Sequence, residues 1–239
     1  MSAKRRRKMG TNNNDNDVLE KSFESNPTKS NYNYVIENMA SNVDGENVPY
    51  IDLATTLKFI EETSSRLKIT GLLSDYLASV LVRSPDDLLP SVYLCLNKLG
   101  PDYQGLVLGI GESTLIKALA SATERQIDQI KADMKKKGDL GLVAESNFLT
   151  TTQPLLLQSQ RLTVSSVFKG FREIAEYSGP NSAQKKIDKI RDLLVACRDC
   201  EARYLIRSLA GKLKIGLAEQ SLLVALGQSL VLAEKKEDI

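Results

Sequence analysis

The stretch Gly211-Lys212-Leu213-Lys214-Ile215-Gly216-Leu217-Ala218-Glu219-Gln220-Ser221 joins two helical patterns through a turn with two glycines and two lysines, a combination suited to holding phosphate. Glycine lets the backbone approach a ligand with no Cβ in the way. The helix that follows points unpaired N–H groups and the positive end of its dipole back at the turn. Lys212 and Lys214 add full charges to those partial ones. A glycine turn between helices is also what a plain helix C-cap looks like. A second candidate for chemistry is Cys197-x-x-Cys200. It invites a zinc or redox reading, but zinc is disfavoured: the chain has no histidine and only Cys95 besides, so a four-ligand site cannot be completed from nitrogen and sulfur, and both cysteines sit in a helical pattern. The lack of histidine also removes Ser-His and Cys-His nucleophiles. The Gly105-to-Gly111 cluster lacks the lysine of a phosphate loop and does not precede a strand. Catalysis by this chain alone is not expected, nor a metal or cofactor bound to it.

The turn has an echo. Leu108-Gly109-Ile110-Gly111 repeats the Leu-x-Ile-Gly form of Leu213-Lys214-Ile215-Gly216. Thr114-Leu115-Ile116-Lys117-Ala118-Leu119 then reads beside Ser221-Leu222-Leu223-Val224-Ala225-Leu226. The offset drifts from 105 to 107 residues, as a two-residue insertion would cause. Upstream, Tyr93-Leu94 matches Tyr204-Leu205, and amphipathic segments around Phe59 and Phe171 lie a step further back. A duplicated helical unit follows, and two turns on one face could grip a double helix along its backbone. Chance likeness between Leu/Ala-rich helices is the plainer alternative.

The elements that must position these turns read as helices throughout. From Pro49, Leu53, Leu57, Ile60 and Leu67 recur at helical spacing, and a second stretch runs from Leu72 through Leu81. Ser84-Pro85-Asp86-Asp87 has the signals of a helix start that should run to Leu99 and stop at Gly100-Pro101. Thr123-Glu124-Arg125-Gln126 fits a capping box, with Ile127 and Ile130 on the buried face behind it and Lys135-Lys136-Lys137-Gly138 at the end. Residues 147–160, with Pro154 amid Thr and Gln, read as a connection. Further helices are expected from about Val164 to Tyr177, Ser182 to Cys197, Glu201 to Ala210 and Leu217 to Ala233. Ile187, Ile190, Leu193, Leu194 and Cys197 mark the core stripe of the second of these. The expected fold is all-α, in two pseudo-symmetric helical halves, 32–150 and 151–239, behind a tail at 1–31.

At 239 residues the chain can build a core without disulfides, and three cysteines suit a reducing compartment. No apolar run approaches the ~20 residues that cross a bilayer, and no apolar segment follows the N-terminal charges, so neither membrane insertion nor export is expected. The formal net charge of +2 hides an asymmetry. Lys4-Arg5-Arg6-Arg7-Lys8 is a basic run in an Asn-rich tail that should be disordered and reads as a nuclear localisation signal or a nonspecific nucleic-acid arm, or as a solvated tail with no role. From Pro49 to Pro154 the chain leans acidic. Between Arg161 and Gly216, twelve Lys and Arg stand against six Asp and Glu, an excess suited to a polyanion if it clusters in space.

These residues resemble a known family. Val48-Pro49-Tyr50, Leu99-Gly100-Pro101, Lys137-Gly138-Asp139-Leu140-Gly141-Leu142-Val143-Ala144-Glu145, Leu194-Val195-Ala196-Cys197-Arg198 and the run from Ser208 to Ser221 are similar to the N-terminal DNA-binding domain of eukaryotic ATP-dependent DNA ligases, nearest the replicative ligase I type. The resemblance covers about residues 32–230. It implies a helical domain that docks on the minor groove of nicked duplex DNA without reading sequence, in a nuclear enzyme of replication, repair and recombination. It also implies DNA contacts at Lys212, Leu213, Lys214, Ile215, Gly216, Leu217, Ala218, Glu219, Gln220 and Ser221, with Arg66 and Ile69 at an early helix. ATP and Mg²⁺ would serve the catalytic domains of the parent chain. The family's Lys-x-Asp-Gly motif is not found: the only Asp-Gly, Asp44-Gly45, follows Asn42-Val43. This piece is therefore expected to be inactive alone and to stop short of the domain's last helices. The glutamine-plus-paired-aromatics motif for a sliding clamp is not visible, which puts clamp recruitment in doubt.

Without the resemblance, a helical-repeat scaffold for proteins fits the same patterns. Sequence-specific regulation fits less well, because no helix carries Asn, Gln and Arg aimed at base edges.

Overall fold

The computed structural model describes residues 47–150 and 160–237, all within a compact unit spanning 42–239. The basic tail and most of the connection expected at 147–160 lie outside these residues; at 147–150 that expectation is corrected, because the helix over Leu140–Thr150 continues through them. The described residues are all-helical: α1 (Tyr50–Glu61), α2 (Arg66–Arg83), α3 (Leu88–Leu96), α4 (Glu112–Thr123), α5 (Ile127–Lys137), α6 (Leu140–Thr150), α7 (Val164–Glu176), α8 (Ser182–Val195), α9 (Glu201–Leu209) and α10 (Glu219–Glu237). Short 3-10 turns occupy Pro85–Asp87 and Asp102–Gln104. The one strand-like feature among them is an isolated antiparallel bridge between Pro49 and Thr163.

That bridge joins the entrances of two helices. The Tyr50 N–H donates to Leu162 O at 2.8 Å and the Val164 N–H to Val48 O at 2.9 Å, so the starts of α1 and α7 satisfy each other's backbone. The buried Asp87 carboxylate fastens the joint, accepting from the Val48 N–H at 2.7 Å and from the Ser165 hydroxyl. Thr163 and Ser166 close a capping box at α7. Behind the bridge, Tyr50, Leu53, Ala54, Leu57 and Ile60 of α1 and Val164, Val167, Phe171 and Ile174 of α7 face one core.

Helix packing is reciprocal. α2 lies along α10 as α8 lies along α4; α3 meets α7 as α9 meets α1; α1 packs on α2 as α7 packs on α8. The runs α1–α4 and α7–α10 thus use the same pairings with partners exchanged, and α5 and α6 intervene, with α6 packed on α9.

Several local expectations are corrected. Leu67 is 86% exposed on the first turn of α2, because Thr63-Ser64-Ser65 breaks the chain and α2 starts anew at Arg66. Ser84 makes no side-chain cap; Pro85–Asp87 is a 3-10 turn, and α3 ends at Leu96 because Asn97 turns left-handed at φ 54°. The capping box at Thr123 does not form. The Thr123 hydroxyl donates to Leu119 O within α4, Glu124 takes φ 52°, and Gln126 precedes α5 with no side-chain cap. Ile130 is buried, but Ile127 is 38% exposed. Ile190, Leu193, Leu194 and Cys197 are buried as expected, and Ile187 packs at the margin. The three cysteines are free and buried, and burial pushes the Cys95 thiol up to about 12 and that of Cys200 to about 11. Among the described residues no helix is long and apolar enough to cross a membrane.

Candidate nucleic-acid interface

The site is built from the C-terminal end of α9. Its apolar face, Tyr204, Leu205, Ile206 and Leu209, is buried. Arg203 and Arg207, one helical turn apart, run along its edge. α9 stops in a Schellman turn: the Lys212 N–H bonds Arg207 O at 3.0 Å and the Gly211 N–H bonds Ser208 O at 3.0 Å, with Gly211 at φ 77°. The C-cap reading of Gly211 is therefore correct, and it also sets the direction in which the lysines leave the helix. Beyond it the chain alternates. Leu213 and Ile215 turn inward, at 8% and 6% exposure, while Lys212 and Lys214 face out. Lys214 and Gly216 both adopt positive φ, 58° and 67°, and α10 begins at Glu219 with its first-turn N–H groups facing the turn.

A network of charged groups holds this turn from beneath. The Arg207 guanidinium, 4% exposed as a residue, grips Glu61 with two bonds (Nη1 to Oε2 at 2.7 Å, Nη2 to Oε1 at 3.0 Å). Its Nε donates to Asp139 Oδ2 at 3.2 Å, and Nη1 reaches Leu213 O at 3.4 Å. Tyr204 donates its hydroxyl to Glu61 Oε2 at 2.7 Å, and Arg203 pairs with Glu145 and Glu61. Burial works to raise the Glu61 carboxyl, but Arg207, Tyr204 and Arg203 outweigh it and hold Glu61 below the usual carboxylate range. Asp139 behaves alike: burial raises it, and Lys214, Arg207 and the N–H groups of Gly141 and Leu142 together lower it. Close approach of α6 to α9 depends on Gly141, where a Cβ would lie 2.7 Å from Arg203 O.

The echo turn lies alongside. Gly109 takes φ 57°, matching Lys214 at the aligned position, and α4 starts one residue after Gly111 where α10 starts three after Gly216, which accounts for the two-residue drift. A groove of about 660 Å³ runs between the 97–111 loop and Leu209-Ala210-Gly211. A smaller one of about 320 Å³ is bordered by Ile110 and Glu112 on one side and by Asp139, Arg207, Lys212 and Lys214 on the other. The first turn brings glycines and a glutamate to these walls, the second brings the cations.

Lys212 to Ser221 thus form one continuous turn and helix start. Arg66 is exposed and Ile69 is buried on the first turn of α2, the helix that packs along α10 and ties to it through Ser74 Oγ donating to Gln228 Oε1 at 2.9 Å. Glu61, Asp139 and Arg207 are functional residues that the sequence pattern does not single out. Two of them carry a signal: Asp139, an acid between a glycine cap and a helix start at Gly138-Asp139-Leu140, and Arg207, four residues after Arg203 on an amphipathic helix.

A model of the DNA ligase N terminus matches residues 49–227, which includes both turns and the network beneath them. The chain belongs to the DNA ligase N-terminal family. It is 50% identical to DNA ligase 1 of Dictyostelium discoideum over 78% of its own length and 16% of that protein. With DNA ligase 1 of Drosophila melanogaster it shares 49% identity over 79% of this chain and 24% of the relative, and with DNA ligase 1 of Saccharomyces cerevisiae 41% over 80% and 25%. The chain therefore spans about a sixth to a quarter of the length of these relatives.

Proposed function

We propose that this chain is the sequence-independent duplex-binding domain of an ATP-dependent, nick-sealing DNA ligase that works in the nucleus in replication, repair and recombination. The observation that carries the reading is the 211–221 segment. It presents two outward lysines, three positive-φ residues and a helix N-terminus from one short turn, on a rigid base, in a family of DNA ligases. A ligase must act on any sequence, and backbone contacts by lysines, N–H groups and helix ends fix position without reading bases. By the reciprocity of the packing, the start of α2 would stand to this turn as the start of α8 stands to the echo turn, where Lys186 Nζ donates to Leu108 O at 2.7 Å. Arg66 would then meet the same duplex, with Ile69 beneath as support. Leu213 and Ile215 would act through their backbone, since their side chains are buried. ATP and Mg²⁺ would be bound by catalytic domains of the parent protein.

The test is fluorescence anisotropy of nicked duplexes of two unrelated sequences, at about 50 and 200 mM salt. Engagement of about five phosphates lowers affinity on the order of 10²–10³-fold across that range, equally for both sequences. Lys212→Ala/Lys214→Ala should flatten the slope by up to about two units. A scaffold for proteins is the second reading, favoured by one observation: α10 exposes Leu223, Val224, Leu230 and Val231, each at 50% or more. Apolar docking is insensitive to salt, so binding unaffected by salt, or none from a folded sample, would favour that reading.

A further inference from the structure

The two lysines of the turn are not electrically equivalent. Lys212 is exposed and forms no ion pair among the described residues. Lys214 Nζ sits 3.0 Å from Asp139 Oδ2, with side-chain exposures of 48% and 9%. Asp139 has further donors: Arg207 Nε at 3.2 Å on the same oxygen, and the N–H groups of Gly141 at 2.7 Å and Leu142 at 3.3 Å on Oδ1. The carboxylate at this helix start therefore stays satisfied if Lys214 leaves. The Lys214 ammonium is the half-exposed partner, and only one of its three protons is spent on Asp139. The contact can be exchanged from the lysine side and not from the aspartate side.

We propose that Asp139 is an internal counter-ion that occupies Lys214 in the free protein and yields it to a phosphate of bound DNA, so that this buried carboxylate sets the affinity of the turn for duplex. The inference rests on the DNA-binding reading above. A carboxylate beside Lys214 cancels part of the charge that ammonium offers a phosphate, and so reduces the number of cations released from the DNA when the turn docks. Lys212 carries the larger share of the salt dependence, and Lys214 is held in a fixed place at reduced charge.

The test is anisotropy of a nicked duplex with the 239-residue chain between about 50 and 200 mM salt, comparing wild type, Asp139→Asn, Lys214→Gln and the double variant, with thermal unfolding of each. Asp139→Asn should tighten binding about three- to tenfold at 50 mM and steepen the slope by up to about 0.9 units. In the Lys214→Gln background the same substitution should have no effect, because the carboxylate acts through that ammonium. A role limited to holding the turn in shape would instead weaken binding in both backgrounds. Should Asp139→Asn not fold, the paired single variants decide: Lys212→Gln must lose more affinity and more slope than Lys214→Gln. Salt-dependent binding by wild type with Asp139→Asn unchanged or weaker, an equal effect of that substitution in both backgrounds, or equal losses from the two lysine variants would overturn the proposal and leave DNA binding intact. Wild type that does not bind duplex overturns the DNA reading and this inference with it.

Discussion

The turns at Leu108–Gly111 and Leu213–Gly216 share a sequence form and one left-handed position, yet their backbones part at the last glycine, φ −84° at Gly111 and 67° at Gly216, and they carry different chemistry. At the aligned left-handed position one has Gly109 at φ 57° and the other Lys214 at φ 58°. A glycine takes that conformation freely, whereas a side chain there costs about 1–2 kcal/mol. The second turn bears that strain and in return aims an ammonium outward from a fixed point. The supports differ in the same sense. Three residues beyond the matched Tyr93 and Tyr204 stand Leu96 and Arg207: the first packs against the core, the second ties Glu61, Asp139 and Leu213 O together under the turn. One copy keeps the shape and lines a groove; the other adds charge and a rigid base to hold it.

Breaking the base should have the largest effect. Arg207→Met leaves Glu61 and Asp139 without their central cation in a buried site, and the expected loss is about 3–5 kcal/mol in urea unfolding. Leu96→Met in the other copy, a volume-conserving apolar exchange, should cost under about 1.5 kcal/mol. Next comes Glu201 at the start of α9. Burial raises its carboxyl to about 7 from an ordinary 4.5, against the lowering pull of the Arg198 N–H. A raised carboxyl contributes fully below the ordinary pKa, and that contribution is lost as pH rises through about 7, because the unfolded chain releases its proton first. Glu201→Gln should remove this decline, gaining on the order of 3 kcal/mol relative to wild type at pH 8, read from thermal unfolding against pH. Glu61 and Asp139, held low, impose the opposite slope, with stability lost as pH falls below the ordinary carboxylate range.

Smaller effects sharpen the contrast between the two left-handed positions. Gly109→Ala should cost about 1 kcal/mol through strain alone, since its Cβ would meet only Lys186 Nζ at 3.5 Å. Lys214→Gly relieves the strain but gives up the half-exposed pair with Asp139, so its stability should change by less than about 1 kcal/mol while DNA affinity falls. Equal destabilisation by the two substitutions in chemical unfolding would contradict the account of Lys214.

Much of this was legible in the chain. Apolar spacing gave α7, α8 and α9 to within two residues at each end, since Phe171, Ile190 and Leu205 sit on clean amphipathic stripes, whereas α10 starts two residues later and runs four residues further than its spacing implied. The repeat and the phosphate-suited turn were visible because glycine, lysine and buried Leu and Ile alternate within a few residues. What spacing could not reveal was long-range. Asp87 reads as a local helix-start acid, yet its carboxylate serves Val48 and Ser165, far away in the chain. Arg207 and Asp139 lie 68 residues apart, and neither the pattern around α9 nor that around α6 names its partner. The exchange of helix partners between the two copies is likewise a property of packing, which no single helix encodes.

The most direct test of the central claim, that the lysine-bearing turn and not its glycine counterpart holds duplex DNA, is amide hydrogen exchange of the chain with and without a nicked duplex at about 50 mM salt. The account predicts added protection concentrated in 211–221, largely lost at about 200 mM, with 105–112 changed little. Protection concentrated in 105–112, or none in 211–221 while duplex is bound, would contradict it.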